Sequence, residues 1–310
     1  MQGKFRLTFL LSLLLLPISI IFAADQLRAM PSRQPLPDRV AAVRFKPIRV
    51  EGTAGAWTVE VDDPRFGGVS ALALQGSRLL ALTDSAVAVS LPKPGAGARA
   101  LLHDLPDGPG PPNQRRWRDS EALLRDSSGD WWVAFENRHS VWRYDPDFTA
   151  AARSIGLGAR GWSLNKGVEA MVADESGGML LLGERGTEAL RVASNGITST
   201  PLTGGGGEIA DAVRLPNGRV LVLVRQVGLL GIANWLGELR FGHDGGRIDL
   251  LRRIPVGPLT NLEAAAADPL PSGGTRLWLM SDNDFSDLRR TVLLAINLPD
   301  KRPASPLPRR

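Results

Sequence analysis

Apolar residues in this chain come in short runs separated by turn-forming residues. Ser70–Leu74 is followed by Leu79–Thr83, Glu121–Leu124 by Trp131–Phe135, and Glu169–Val172 by Met179–Gly183. Asp211–Val213 is followed by Val220–Val224, and Glu263–Ala266 by Leu277–Ser281. The intervening residues are Gly76, Ser127–Asp130, Ser176–Gly178, Pro216-Asn217-Gly218 and Pro271–Gly274. Two apolar runs around such a turn predict a β-hairpin. Further strand-like runs follow at Val87–Leu91, Val141–Tyr144, Ala189–Val192, Glu238–Phe241 and Val292–Leu298, and no long helical period interrupts them. The pattern predicts an all-β chain.

The hairpins also repeat. Each first run opens on Ser70, Glu121, Glu169, Asp211 or Glu263, four of them an acid followed by Ala, at spacings of 51, 48, 42 and 52 residues. An open sandwich also has many short strands, but gives no reason for a recurring start. Spacings near 40–50 residues match one blade of a β-propeller. The expected fold is a single propeller of four-stranded blades around a channel, with five blades countable and six possible. Phe45–Val50 and Trp57–Val61 precede the first start, while the last unit lacks a clear fourth strand. The amino-terminal strand is therefore expected to complete the final blade and leave no open edge.

The ends differ from the body. Residues 1–24 carry Lys4 and Arg6, an apolar run from Leu7 to Phe22, and Ala23-Ala24, the order of a secretory signal peptide. The alternative is an uncleaved anchor, although the run is shorter than the roughly 20 residues that span a bilayer and contains Pro17. Residues 25–44 read as an extended leader, 45–298 as the propeller domain and 299–310 as a disordered tail. A mature monomer in the periplasm or medium, without stable membrane insertion, is the expectation.

Composition narrows the chemistry. The 310 residues include no Cys and only His103, His139 and His243, which removes thiol nucleophiles, disulfides, Cys-ligated zinc and multi-histidine metal sites. The net charge of +5 comes from Arg spread along the chain, so no nucleic-acid partner is expected. Gly67-Gly68-Val69-Ser70-Ala71 lacks the final Gly of a nucleophile elbow, and Gly204–Gly207 has no following Lys-Ser/Thr for a P-loop. Trp131-Trp132 reads as blade packing rather than a sugar platform.

Repetition turns these positions into a spatial expectation. Glu121, Glu169, Asp211 and Glu263 should converge at one mouth of the channel, with Ser70 completing the ring. Clustered carboxylates persist when a cation, basic side chains or shared protons offset their repulsion. An all-oxygen donor set selects Ca²⁺ or Mg²⁺, and Ca²⁺ is the expected cofactor, with no organic cofactor. The alternative is that these carboxylates pin neighbouring blades by accepting backbone N–H groups. Asp84, Glu136, Glu184, Arg225 and Asp282 end the second runs, so they should lie by the same mouth. Arg118, Lys166 and Arg185 sit close to the acidic positions as ion-pair partners or contacts for an anionic substrate.

Several motifs resemble the phytase-like family named for the "esterase-like activity of phytase". Gly67-Gly68-Val69-Ser70-Ala71-Leu72 with Thr83-Asp84 is similar to its opening GGLSGL…SD, and Asp119-Ser120-Glu121-Ala122 with Phe135-Glu136 to its D-x-E unit. Asn165-Lys166-Gly167-Val168-Glu169-Ala170 resembles N-x-G-x-E, and Asn261-Leu262-Glu263-Ala264 resembles NFEG. Ser281-Asp282-Asn283-Asp284-Phe285 with Arg290-Thr291-Val292-Leu293-Leu294 resembles SDDNF…QRTLLL. The resemblance covers about residues 60–298; it departs at Leu223-Val224-Arg225, where the family has Leu-Glu-Arg, and at several E-G positions that are E-A here.

The resemblance implies an exported hydrolase acting on an ester or phosphoester. The expected catalytic carboxylates are Glu121, Glu169, Glu263 and Asp282. The expected substrate contacts are Arg118, Lys166, Arg185 and Arg225, and the expected cation ligands are Glu121, Glu169, Asp211 and Glu263. The rival expectation is a non-catalytic exported propeller that binds an anionic or polyol ligand in the same place.

Overall fold

The computed structural model describes residues 34–299 apart from 159, 161, 164, 165 and 287. The signal segment, the start of the leader, residues 300–310 and the motif residue Asn165 lie outside the described residues. Among the described residues there is no α-helix; a single 3₁₀ turn spans Arg115–Trp117.

Two strands come first, β1 (Arg39–Pro47) and β2 (Gly55–Val61), so the expected leader boundary at residue 44 falls inside a strand. Four antiparallel runs of four strands and one of three follow. They are β3–β6 (Val69–Gln75, Arg78–Thr83, Val87–Pro92, Arg99–Asp104), β7–β10 (Ser120–Arg125, Trp131–Phe135, Ser140–Tyr144, Ala151–Gly156) and β11–β14 (Val168–Ala173, Met179–Gly183, Glu188–Ala193, Gly196–Gly204). Then come β15–β18 (Glu208–Arg214, Val220–Gly228, Gly231–Gly242, Gly245–Ile254) and β19–β21 (Asn261–Pro269, Thr275–Asp282, Val292–Leu298). β2 pairs antiparallel with β21 and takes the fourth place beside that last run. β1 links β2 to β6, and β14 pairs parallel with β18, joining outer edges of neighbouring units. The first strands pack in cyclic order: β3 on β7, β7 on β11, β11 on β15, β15 on β19 and β19 on β3. The fold is all-β and propeller-like.

Five apolar cores sit between adjacent units, and the period-2 geometry of a strand explains them. In β4, Leu79 and Ala81 face the β19–β21 unit while Leu80 and Leu82 face the β7–β10 unit. In β12, Leu180 and Leu182 face one neighbour and Leu181 the other. Trp131 and Trp132 divide in the same way between two cores, so this dipeptide is packing. A strand buried on both faces reads as a continuous apolar run, and that is why the second runs are so conspicuous in the sequence.

All five first strands carry a β-bulge at the same level. The pairing register shifts at Ser70, Glu121, Glu169, Ala210 and Glu263. A bulge leaves one residue unpaired and re-aims its side chain. The equivalent position in the fourth unit is therefore Ala210, one residue before the Asp211 that the acid-Ala pattern selects.

Candidate functional site

The bulges and the ends of the second strands surround a polar cavity of about 420 Å³ at one end of the ring. Glu121, Glu169 and Glu263 enter it from the bulges of β7, β11 and β19. Asp84, Glu136, Glu184, Arg225 and Asp282 enter from the ends of the second strands, as their hairpin equivalence predicts. Residues two places before the bulges complete the wall: Gly68, Glu208 and Asn261 line it, and Lys166 enters beside Gly167. Gly68 has φ +53° and its missing Cβ leaves room for the Asp84 carboxylate, which an added Cβ would meet at 2.5 Å. Gly167 does the same for Glu136, whose Cγ would lie 2.9 Å from a Cβ there.

Not every expected residue reaches this cavity. Asp211 is buried outside the lining, with its carboxylate accepting the backbone N–H groups of Ala212 at 2.7 Å and Ala265 at 2.6 Å. The pinning role holds for this residue, and the ring of ligands loses it. Arg118 is buried against Gly108 rather than in the cavity, and burial lowers its pKa. Arg185 is exposed and lines a separate 200 Å³ hollow with Arg160 and Trp162, adjoining the cavity through Lys166 and Glu184. Four charged contributors are missing from the expected site residues. Glu208 is hidden by the alignment on Asp211, Asp119 lies two places before Glu121, and Asp284 and Arg289 come from the loop after β20.

The cavity has two electrostatic halves. In one, Lys166 pairs with Glu184 at 2.7 Å and Glu208 at 2.8 Å. Arg225 donates to Glu184 at 3.0 Å and to Glu208 at 3.2 Å, and its other terminal nitrogen donates to Glu263. Burial opposes the charge on Arg225, yet Glu263, Glu169, Glu208 and Glu184 together hold its pKa above the usual guanidinium value. Lys166 and Arg225 likewise keep Glu208 below the ordinary carboxyl range despite burial.

In the other half the carboxylates face one another. Burial raises Glu121 well above its ordinary pKa, and Glu169, Asp119, Glu136 and Asp84 add to the rise. Burial also lifts Glu136 to about 8, helped by Asp119 and Glu184. Glu169 is raised well above normal by burial, then by Glu184, Glu136 and Glu263. Asp282 is raised by burial, by its hydrogen bond with Asp284 and by the nearby Glu263 charge. Oxygens of Asp119, Glu121 and Glu136 all lie within 4.8 Å of one another, as do those of Glu136, Glu169 and Glu184. Such spacing and an all-oxygen donor set fit a hard divalent cation. The two sets share Glu136.

Residues 64–285 match the family described as "Phytase-like: Esterase-like activity of phytase", and the chain belongs to that family. No curated protein matches it. Among solved structures, it is similar to glutaminyl cyclase from Myxococcus xanthus, with 12% identity, 85% of this chain and 98% of that one covered, and a TM-score of 0.49. It is also similar to a catalytically inactive variant of virginiamycin B lyase from Staphylococcus aureus, with 10% identity, 84% and 100% covered, and a TM-score of 0.46. A putative gluconolactonase shares 13% identity over 88% of this chain and 97% of that one, with a TM-score of 0.45.

Proposed function

We propose that this phytase-like chain is an exported hydrolase of an ester or phosphoester, working in the acidic cavity of a five-bladed propeller that β2 closes. The observation that carries the reading is Glu136, a buried carboxyl group raised to about 8 within a cluster of further carboxylates. A carboxyl group with that pKa keeps its proton at neutral pH and is suited to donate it to a departing oxygen. Glu121 and Glu169 share that raised-pKa environment, so either would accept a proton from water only in its ionised form, which a bound cation favours. Lys166 and Arg225 pair with Glu184, Glu208 and Glu263 and fix them in position.

The lining has nine carboxyl groups against Lys166, Arg225 and Arg289. An anionic ester enters such a cavity only when bound protons or a cation lower its negative charge. Glu136 holds either a proton or a cation; in the second case Asp119, Glu121 and Glu136, or Glu136, Glu169 and Glu184, would hold Ca²⁺ in place of those protons. When bound, Ca²⁺ supplies Lewis-acid polarisation of substrate oxygens. Asp211 has no part in it.

Export through residues 1–24, cleavage near Ala23 or Ala24, and a monomeric mature chain complete the proposal. No helix among the described residues is long and apolar enough to cross a membrane. Mass spectrometry of the natural product tests the cleavage. Activity is tested on p-nitrophenyl phosphate, p-nitrophenyl acetate and inositol hexaphosphate, with Ca²⁺ and with chelator. Turnover that is lost in Glu136→Gln and Glu169→Gln supports the hydrolase. Turnover no greater than in those variants on every substrate favours the second reading, a non-catalytic binder of a polyol or anionic ligand. That reading draws on the pairing of both Lys166 and Arg225 with carboxylates, which leaves neither cation uncommitted.

A further inference from the structure

The hollow beside the acidic cavity has the reverse charge balance. Its roughly 200 Å³ are bordered by Arg160, Lys166 and Arg185 against Glu184 and Glu188. Both carboxylates are committed. Glu184 pairs with Lys166 and Arg225, while Glu188 accepts the Trp162 Nε1–H at 3.0 Å and the Ser199 hydroxyl at 2.6 Å. Lys166 is spent on Glu184 and Glu208. The two arginines are not spent. Arg160 donates only its Nε, to the Leu157 carbonyl at 2.8 Å, and Arg185 makes no ion pair or side-chain hydrogen bond among the described residues. Two guanidinium groups therefore bring positive charge and open terminal N–H donors to a hollow with no free carboxylate to receive them.

Position ties the hollow to the acidic cavity. Lys166 and Glu184 line both spaces. Gly167 also lines the hollow, and a Cβ on it would meet the Glu136 Cγ at 2.9 Å, so one glycine separates the hollow from the raised carboxyl group. Trp162 is fixed by Glu188 and by an edge contact with His139, ring centroids 5.5 Å apart, and gives the hollow an apolar wall. The carboxylates of the cavity repel an anionic ester, whereas these arginines attract one. We propose that the hollow holds an oxyanionic group of the substrate, a phosphate or a carboxylate, other than the group whose ester bond is cleaved beside Glu136. The identity of the cleaved bond rests on the hydrolase reading; the anion site does not. Guanidinium forks match both oxyanions with paired N–H donors. The substrate class is then an ester that carries a second anionic group within a few bonds of the scissile oxygen.

Calorimetric titration tests the site without turnover. The full chain is stripped of cations with chelator and dialysed, so that no anion binds through a metal. The probes are inorganic phosphate and, separately, acetate, which distinguish the two oxyanions. At least one should bind, with affinity reduced about tenfold in Arg185→Gln and further when Arg160→Gln is added. Arg99→Gln, at an exposed position on β6, is the control and should bind as the parent does. Glu136→Gln should also keep the binding. For whichever anion binds, a p-nitrophenyl ester carrying that anion on its acyl chain should show a lower KM than p-nitrophenyl acetate, and Arg185→Gln should cut that preference about tenfold. Equal binding in the double variant and the control, or no binding of either anion, would overturn the anion site. Retained binding with no turnover of any ester would end the hydrolase reading and leave the anion site standing.

Discussion

The Asp211 carboxylate accepts the backbone N–H of Ala265 at 2.6 Å and so ties β15 to β19. Burial raises the Asp211 pKa well above normal, while the bonds from Ala265 and Ala212 favour its charged form. The residue spends its acceptor capacity on the frame between two units. Asp211→Ala leaves two buried N–H groups without that acceptor and should destabilise the fold by about 1–3 kcal/mol in chemical denaturation. Any Ca²⁺-dependent rise in melting temperature should survive the change. Loss of that rise in Asp211→Ala would return this residue to the ligand set.

Arg225 has the opposite profile. It satisfies Glu184, Glu208 and Glu263 at once from a largely enclosed position. Arg225→Met keeps much of the volume but leaves Glu263 without its cation and Glu184 and Glu208 with Lys166 alone. A cost of about 3–5 kcal/mol is expected, as for breaking a buried ion pair by removing one partner. The loss should be smaller at pH 5, where protonation relieves the repulsion. Equal losses at pH 5 and pH 8 would show that Arg225 acts through packing alone.

Much of this is legible without coordinates. The second strands are buried on both faces, and the resulting apolar runs give away their number and phase. The carboxylates of Glu121, Glu169 and Glu263 stand out because the same residue type recurs at the same bulge. Asp211 misleads because Glu208-Ile209-Ala210-Asp211-Ala212 offers an acid-Ala pair one residue late, and only strand pairing reveals that Ala210 occupies the bulge. Arg118 misleads for a related reason. It is near Glu121 in sequence, but its side chain lies under Gly108, on the outer side of the wall. The exposed Leu229-Leu230 turn between β16 and β17 gives no signal, since two leucines in an apolar run look like core.

Stability should depend on pH through Glu136. Its folded pKa of about 8 exceeds the ordinary value of 4.5, so the folded chain binds more protons between those limits. A raised carboxyl pKa contributes stability that is fully present below the unfolded pKa and is lost as pH rises through the folded one. Without divalent cations, the melting temperature should therefore fall from pH 5 to pH 8. Glu121, Glu169 and Asp282 shift in the same direction and steepen the fall. Glu136→Gln should flatten it. A melting temperature that rises over this interval in both proteins would contradict the burial assigned to these groups.

A cation should reverse that trend, because it stabilises the ionised carboxylates that burial and mutual repulsion disfavour. A ligand that binds only the folded chain adds stability by mass action, roughly 2.7 kcal/mol at a hundredfold excess over its dissociation constant. Millimolar Ca²⁺ should raise the melting temperature more at pH 8 than at pH 5, where the ligands hold protons. Glu136 belongs to both carboxylate sets, so Glu136→Gln should remove most of the increment. Glu121→Gln and Glu169→Gln each alter only one set and should remove part of it. The exposed Glu51→Gln is the control and should change nothing. Calorimetric titration with Ca²⁺ reads the same comparison as affinity. An undiminished response in Glu136→Gln would place any cation elsewhere on the molecule, and no response in the parent chain would leave protons as the only charges offsetting the uncompensated half of the cavity.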